Sequence, residues 1–594
     1  MFVPTAFLEG ITGEFFRQFA VTIAVATAIS CFCSLTLSPA LASLLLRPHD
    51  HAKPANPIMR AVSNASAAFN RGFDRLSHAY GRTAGFVVSH SPLMLLAYLI
   101  LIGGTTYLLV VTPKGFIPAQ DRGYVIVAVQ LPGAASLHRT TEIVQQIEKI
   151  ARETPGVVAA PAFAGFSGAT RTLASNAAAL FPVFEEAELR AKKGLTANVI
   201  TAELRKRLAS IQGAFILVIP PPAVPGIGTG GGFAMRVQDR QGRGPALLAS
   251  ATNELVAAAQ RDPRLVSVFS TFSANTPQVH VEVDRVRAKK LGVPIENVNA
   301  AVETYFGSTY VNDFNILGRT YRVTAQADLP FRRDTADLAR LRTKNEAGDM
   351  VMLGSVMDFR DMAGPDRVPR YNLYPASEVQ GETAPGTSSA TALTIMQGLA
   401  DRVLPSGFSF EWTDLSLQES TGGNAGLFIF PICVLFVYLV LAAQYGSWSL
   451  PLAVILIVPM CVLAGLAGVR FMALDVNVLT QIGFVVLVGL AAKNAILIVE
   501  FARDIEAAGK SSVDAVIEAC HLRLRPILMT SFAFILGVLP LVISTGAGSE
   551  MRQAVGVAVF FGMIGVTVFG LIFTPVFYVL IRRIAGGSLK EAEA

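Results

Sequence analysis

Lys493 and Asn494 stand side by side inside an apolar run, NVLTQIGFVVLVGLAAKNAILIVEF (477–501). The run is long enough to cross a bilayer, which takes about 20 apolar residues. A lysine at that depth costs about 2.5–3.5 kcal/mol on insertion scales, so such a residue pairs with something and marks an ion or proton path. The next apolar run, HLRLRPILMTSFAFILG (521–537), offers Arg523 and Arg525 at its entrance and Thr530 and Ser531 further in. Thr530 follows Arg523 by seven residues, so the two share a helix face. Each residue also has a plainer reading. A lysine stem can snorkel to the interface, a hydroxyl can bond its own helix carbonyl, and flanking arginines hold a helix end at the interface. Asn494 cannot snorkel. A proton-carrying lysine needs carboxylates within about 4–6 Å. No Asp or Glu stands inside any apolar run: Asp475, Glu500 and Glu550 lie at or beyond the ends. Either Lys493 is unpaired or its partner belongs to another segment. A lysine base beside Ser531 or Thr530 could also serve an intramembrane hydrolase, but no nucleophile motif accompanies it.

The elements that must hold these residues are membrane helices. Of 594 residues, 52% are hydrophobic and 15% charged, well under the ~25% charged of soluble domains. Seven apolar stretches could span: 17–46, 92–112, 425–443, 449–470, 477–501, 526–545 and 553–581. The loop 47–91 carries Arg47, Lys53, Arg60, Arg71, Arg75 and Arg82 against Asp50 and Asp74, which places it in the cytoplasm. Counting helices from there puts 113–423 outside, and 502–525 and the tail 582–594 inside. Within 47–91, Met59, Val62, Phe69, Phe73, Leu76 and Tyr80 recur at helical spacing. That is an amphipathic helix, lying on the membrane surface or packed on the protein. The net charge of +6 is too dispersed to suggest nucleic acid. The cysteines Cys31, Cys33, Cys433, Cys461 and Cys520 all fall outside 113–423, so no disulfide staples that segment. The opening MFVPTAFLEG gives eight apolar-leaning residues before a turn. As helix they would cover about 12 Å, less than half a bilayer, as though the chain starts partway along a membrane helix.

The outer segment repeats itself. YVIVAVQLP reads as strand and TEIVQQIEKIARETPGVVAAPAF as helix then strand; FAMRVQD and ATNELVAAAQRDPRLVSVFSTF follow the same order. LTANVITAELRKRLASIQGAFILVI and ALTIMQGLADRVLPSGFSFEW supply the second helix-to-strand halves. The pattern is βαββαβ, the ferredoxin-like arrangement. The glycine-rich stretch PPAVPGIGTGGGF (221–233) joins two such units; with no strand directly before it and no helix after, it is a linker, not a dinucleotide loop. The expected fold is an α+β membrane protein: a bundle of seven full spans plus a large external region of ferredoxin-like subdomains.

GLAAKNAILIVEFARD followed by LRLRPILMTSFAFILGVLPLVISTGAGSE resembles the tenth and eleventh transmembrane helices of resistance–nodulation–division (RND) transporters, in the hydrophobe/amphiphile multidrug branch. FVPTAFLEGITGEFFRQFA, LTLSPAL (35–41), STYVNDF (308–314) and AAQYGSW (442–448) resemble that branch too, in order along the chain. The resemblance runs from the end of the family's fifth helix to its C-terminus. It implies a proton-driven inner-membrane drug permease with no cofactor beyond the proton-motive force, rather than an enzyme. By resemblance Lys493, Asn494, Arg523 and Thr530 match relay positions whose acidic partners lie on the family's fourth helix. The implied division is 1–46 (the end of one helix plus one span), 47–91 (cytoplasmic loop), 92–112 (span), 113–220 (first porter subdomain), 221–285 with 371–423 (second porter subdomain), 286–370 (docking subdomain), 424–581 (five spans) and 582–594 (tail). In the first porter subdomain, Phe166 and Phe181 match drug-pocket aromatics and Phe163 lies beside them. Phe233 matches an aromatic at the pocket entrance, and Met235 stands where an aromatic is usual. Core packing is the plainer reading of each. The implied partners are a periplasmic adaptor, an outer-membrane channel and two further copies in a homotrimer, with small hydrophobic substrates.

Two alternatives accompany this reading. The chain could be a fragment that does not transport alone, because the acidic pair is missing. Met350, Met352, Met357 and Met362 in GDMVMLGSVMDFRDM could also serve a soft-metal exporter of the same superfamily.

Overall fold

A computed structural model describes residues 3–45, 57–422 and 425–585. Arg47, Asp50, Lys53 and the tail from 586 lie outside the described residues, as do the side chains of Met59, Arg60 and Val62. Among the described residues six helices are long and apolar enough to cross a membrane: Gly10–Leu45, Ser91–Val111, Leu450–Phe471, Val478–Ala507, Ser512–Val542 and Ser549–Ile584. The expected span at 425–443 falls in the helix Ala425–Tyr445, whose described apolar part, Ile429–Tyr445, is shorter than the others. The Leu450–Phe471 segment is broken near Ile457 into two collinear pieces, Leu450–Ile455 and Val458–Phe471.

Ser549–Ile584 forms the centre of the bundle, packed on Val458–Phe471, Val478–Ala507 and Ser512–Val542. Small residues set those approaches, as in membrane helix pairs generally. A Cβ on Gly565 would lie 2.2 Å from that of Ala464, and one on Gly562 would lie 2.2 Å from Leu487. At the C-terminal end of the helix Ser549–Ile584, Arg582 donates to Glu506 at 3.0 Å, and the Tyr578 hydroxyl donates to the same carboxylate. Both charged partners are nearly buried, so this cluster ties two helices together. The amphipathic helix Pro57–Ser89 is docked on the protein. Ser77 donates to the His521 carbonyl at 2.9 Å, Tyr80 to that of Leu571 at 2.8 Å, and Ala84 and Val88 are buried. Its remaining apolar residues Phe69, Leu76 and Phe86 stay exposed.

The segment between the helices Ser91–Val111 and Ala425–Tyr445 contains two units of the same topology. In the first, the strands Ile126–Gln130, Ala162–Ser167, Thr172–Leu180 and Phe215–Ile219 alternate with the helices Leu137–Arg152 and Ala197–Leu208. The sheet is antiparallel, with spatial order second, third, first, fourth. The second unit repeats that order with Phe233–Asp239, Leu265–Phe269, Tyr374–Thr383 and Phe408–Trp412, under the helices Pro245–Ala259 and Ser389–Val403. Between its second and third strands runs an inserted segment. The strand Thr276–Val283 pairs with Met357–Gly364 along its whole length. The insertion therefore begins at Thr276, one strand before the boundary at 286 expected from sequence. In the linker, Gly232 has φ +92° and any Cβ there would meet the Gly381 carbonyl oxygen at 2.1 Å, so only glycine fits. Phe269 of the second unit packs with Ala128, Ala169 and Ile219 of the first. Arg205 and Glu382 bridge the same two units at 2.8 Å.

Candidate functional site

The helix Val478–Ala507 starts at Asn477, whose side chain accepts from the Thr480 amide at 3.0 Å and so caps the first turn. Thirty residues of helix follow. Between Val478 and Ala502, Lys493 is the one exposed residue. The part-buried positions Val486, Leu490, Leu497 and Glu500 fall in line with it at three- to four-residue spacing, so the helix has a single open seam. Lys493 makes no hydrogen bond and no ion pair among the described residues. Beside it on the helix Ser512–Val542, Met529, Phe532 and Leu536 are exposed. The outcome is an apolar flank bearing one unpaired cation.

The other relay candidates point elsewhere. Asn494 is buried, and its amide donates to the Ser531 hydroxyl at 3.2 Å. Thr530 donates to the Ile527 carbonyl of its own helix at 3.1 Å. The guanidinium carbon of Arg523 lies 3.2 Å from the centroid of the Phe501 ring, and its Nε is buried without a partner among the described residues. Arg525 instead reaches the helix Pro57–Ser89, donating to Asn70 at 2.8 Å. Glu500 pairs with Arg503 at 3.0 Å, two to three turns after Lys493. Lys493 therefore touches neither hydroxyl, and no base–nucleophile pair of the kind a hydrolase needs forms here.

The aromatic candidates divide. Phe163 is 54% exposed, and its ring meets that of Phe181 edge-on at 5.8 Å. Phe166 is part-buried on the same hairpin. Phe233 and Met235 differ: both are buried in the core of the second unit with Leu248, Leu255, Val379 and Met396. They stand two apart on a strand flanked by partners on both sides, so both face the covering helices.

Sequence reasoning missed a cavity of about 640 Å³ where the second unit meets the membrane helices. Its wall is largely apolar, with Phe16, Leu109, Leu393, Ile429 and Phe484, and Lys114 and Glu419 also line it. Glu419 accepts from the Ser389 hydroxyl at 2.7 Å. Burial pushes its carboxyl up to about 7, and the nearby charge of Asp475 adds to the rise. A carboxylate in DLSLQES, just ahead of an apolar run, was a visible signal. Its burial was not, because the covering helix Ser389–Val403 arrives through tertiary packing.

Of the methionines, Met357 is buried while Met350, Met352 and Met362 are about half exposed. No group of three or more His, Cys, Asp or Glu able to hold a metal occurs among the described residues.

The model of the AcrB/AcrD/AcrF family matches residues 1–582. The multidrug export protein AcrF of Escherichia coli K12 is 37% identical over 587 residues, which is 98% of this chain and 56% of AcrF. The toluene efflux pump membrane transporter TtgB of Pseudomonas putida is 35% identical over 593 residues, 100% of this chain and 56% of TtgB. The multidrug resistance protein MdtF of E. coli K12 is 36% identical over 593 residues, with 98% and 56% covered. The chain thus spans about half the length of these relatives. They export drugs and solvent, which removes the support for a soft-metal exporter.

Proposed function

The chain belongs to the AcrB/AcrD/AcrF family of RND multidrug permeases, and on that premise we propose that it serves the proton-driven export of hydrophobic and amphiphilic compounds as the C-terminal portion of an inner-membrane pump. The observation that carries this reading is Lys493, an unpaired cation on the open apolar flank of a helix that is otherwise buried. Such a cation needs an acidic partner. The described residues supply none, so the partner is an acidic pair on a membrane helix related to the first half of the relatives. Lys493 exchanges its ion pair as those carboxylates gain and lose protons. Asn494, through Ser531, and Arg523, over Phe501, orient the lysine helix against its neighbour, and Thr530 completes the relay set by resemblance to the family. Substrates meet Phe163, Phe166 and Phe181 between the porter units, and the membrane-side cavity fits an amphiphile on its way there. The assembly is a trimer joined to a periplasmic adaptor and an outer-membrane channel, by analogy with the family.

The test is dye efflux driven by a proton gradient, in cells making this chain together with a segment that supplies the acidic pair. Lys493→Met should abolish efflux while membrane insertion is retained; efflux that survives the substitution refutes the relay. Cells making this chain alone should show no efflux, since the acidic pair is then absent. Gradient-dependent export in those cells would overturn the assignment of the missing partner.

A further inference from the structure

The hairpin that carries Phe163 and Phe166 is built in two parts. Its inner part, Ala162–Ala164 against Ala178–Leu180, is a regular ladder over the core of the first unit. The register then slips at Gly165, which has φ +84°, and only two pairs follow: Phe166 with Leu173 and Ser167 with Thr172. The packing of the outer part is confined to its turn, where Ala169 meets Ala128 and Ile219 of the same unit and Phe269 of the second. Leu173 is 86% exposed, and of the tip residues Ser167 and Ala169 alone are buried. Two pairs cannot fix a hairpin end in water, because isolated hairpins are marginal at best.

Side-chain contacts from outside the unit add to this hold on the tip. Arg367 lies in the crossover 365–369, where the chain returns from the inserted segment to the second unit. Its Nη1 donates to Thr170 at 2.9 Å and to Thr172 at 2.5 Å, and those hydroxyls are 2.8 Å apart. Arg171 between them has φ +54°, so the turn projects both threonines to one side. Arg171 itself donates to the Gly228 carbonyl in the linker at 2.6 Å. A guanidinium suits two neighbouring acceptors because its donors are fixed in one plane.

We infer that Arg367 is a positioning residue for the aromatic hairpin: it clasps the hydroxyls of Thr170 and Thr172 and so fixes Phe166 relative to Phe163 and Phe181. The consequence for substrates rests on the reading of that aromatic patch as a binding surface; the clasp itself does not. Released, the outer hairpin pivots at Gly165 and Phe166 leaves the patch. The clasp also makes the crossover sense the hairpin, because a ligand that displaces Phe166 pulls on Arg367.

The test is amide hydrogen exchange over 164–173, in the full chain held in nanodiscs, with Arg367→Ala, Arg367→Lys and the isosteric pair Thr170→Val/Thr172→Val. Hydrogen bonds to a charged group are worth about 1.5–3 kcal/mol, so exchange should rise at least ~10-fold in Arg367→Ala and in the valine pair. Combining the two should add nothing further, and Arg367→Lys should restore part of the protection. The strands Ile126–Gln130 and Phe215–Ile219 should exchange as before. Unchanged exchange at the tip in the valine pair, which perturbs only an outer turn, overturns the clasp. So does full additivity of the two changes. Binding of N-phenyl-1-naphthylamine, read by its fluorescence, is the second arm. Weaker binding in every variant with a freed tip, recovered in Arg367→Lys, supports the proposal in full. A freed tip with unchanged dye affinity upholds the clasp and refutes the aromatic patch as the binding surface.

Discussion

Glu419 should make the protein more stable in mild acid than in mild base, and replacing it with Gln should remove that dependence. Its carboxyl titrates at about 7 in the folded chain, against 4.5 for the free group, because burial in the wall of the membrane-side cavity disfavours the charged form. The folded state therefore binds more protons than the unfolded state between those values. The stability it contributes is fully present below about 4.5 and is lost as pH rises through 7. The gap between 4.5 and 7 is worth roughly 3 kcal/mol. Part of the side chain reaches water, which reduces the expected difference to ~2 kcal/mol. Glu419→Gln keeps an acceptor for the Ser389 hydroxyl and removes the charge. In nanodiscs, its unfolding midpoint should match the parent near pH 4.5 and exceed it at pH 8. Comparing the two proteins at each pH cancels every other titrating group. Parallel pH curves for parent and variant between 5 and 7.5 would refute the reasoning.

Four further substitutions follow from packing and hydrogen bonds. Ser531→Ala strands the buried amide of Asn494 and should cost about 1–3 kcal/mol by thermal unfolding, whereas Thr530→Ala, whose hydroxyl only bonds its own helix, should cost well under 1 kcal/mol. Arg190→Ala leaves Asp121 without its partner at 2.9 Å in a site where the arginine is 2% exposed; a loss of about 3–5 kcal/mol is expected, seen as faster proteolysis of the first unit. Gly565→Val places branched carbon where Ala464 already stands at 2.2 Å, and at least ~2 kcal/mol of overpacking strain should separate the central helices, measurable as a lower melting midpoint.

The sequence disclosed its periodic features well. Apolar runs carry a strong composition signal, and each of the six long apolar helices overlaps a run read from composition. The βαββαβ order was legible twice because helix and strand periods alternate cleanly. The limit of the insertion was not. Thr276–Val283 reads as a strand of either neighbour, and only its pairing with Met357–Gly364 decides. The aromatic site was half legible for a similar reason. A core Phe on a central strand and an exposed Phe on a hairpin edge have the same local sequence signal, so Phe233 and Phe163 could not be separated without burial. Among the residues matched to a relay by resemblance, the helix was readable, whereas rotamers were not. Thr530 and Ser531 are neighbours in sequence, yet one is tied to its own helix and the other to Asn494. Arg367 carried no signal at all, since its partners are nearly 200 residues away.

The unpaired lysine and the external units are also joined mechanically. Just before the lysine helix begins, the Val476 amide donates to the Pro113 carbonyl at 2.9 Å, the Gly115 amide donates back to Val476 at 3.2 Å, and the Val478 amide donates to Phe116 at 3.0 Å. Residues 113–116 continue directly into Asp121, which pairs with Arg190 of the first unit and whose amide donates to Glu550 at the start of the central helix at 3.3 Å. Arg122, next in sequence, donates to the Ala223 carbonyl in the linker to the second unit. Backbone hydrogen bonds are short and directional and tolerate little sliding. A shift of the lysine helix along its axis must therefore either break three of them or carry 113–116 with it. Carrying them displaces the Asp121–Arg190 anchor and, through Arg122, the linker. The helix that carries Lys493 thus has a short bonded route to both units. On that route the glycine-rich linker is held at two points, because Arg122 and Arg171 donate to its carbonyls at Ala223 and Gly228 on either side of Gly226.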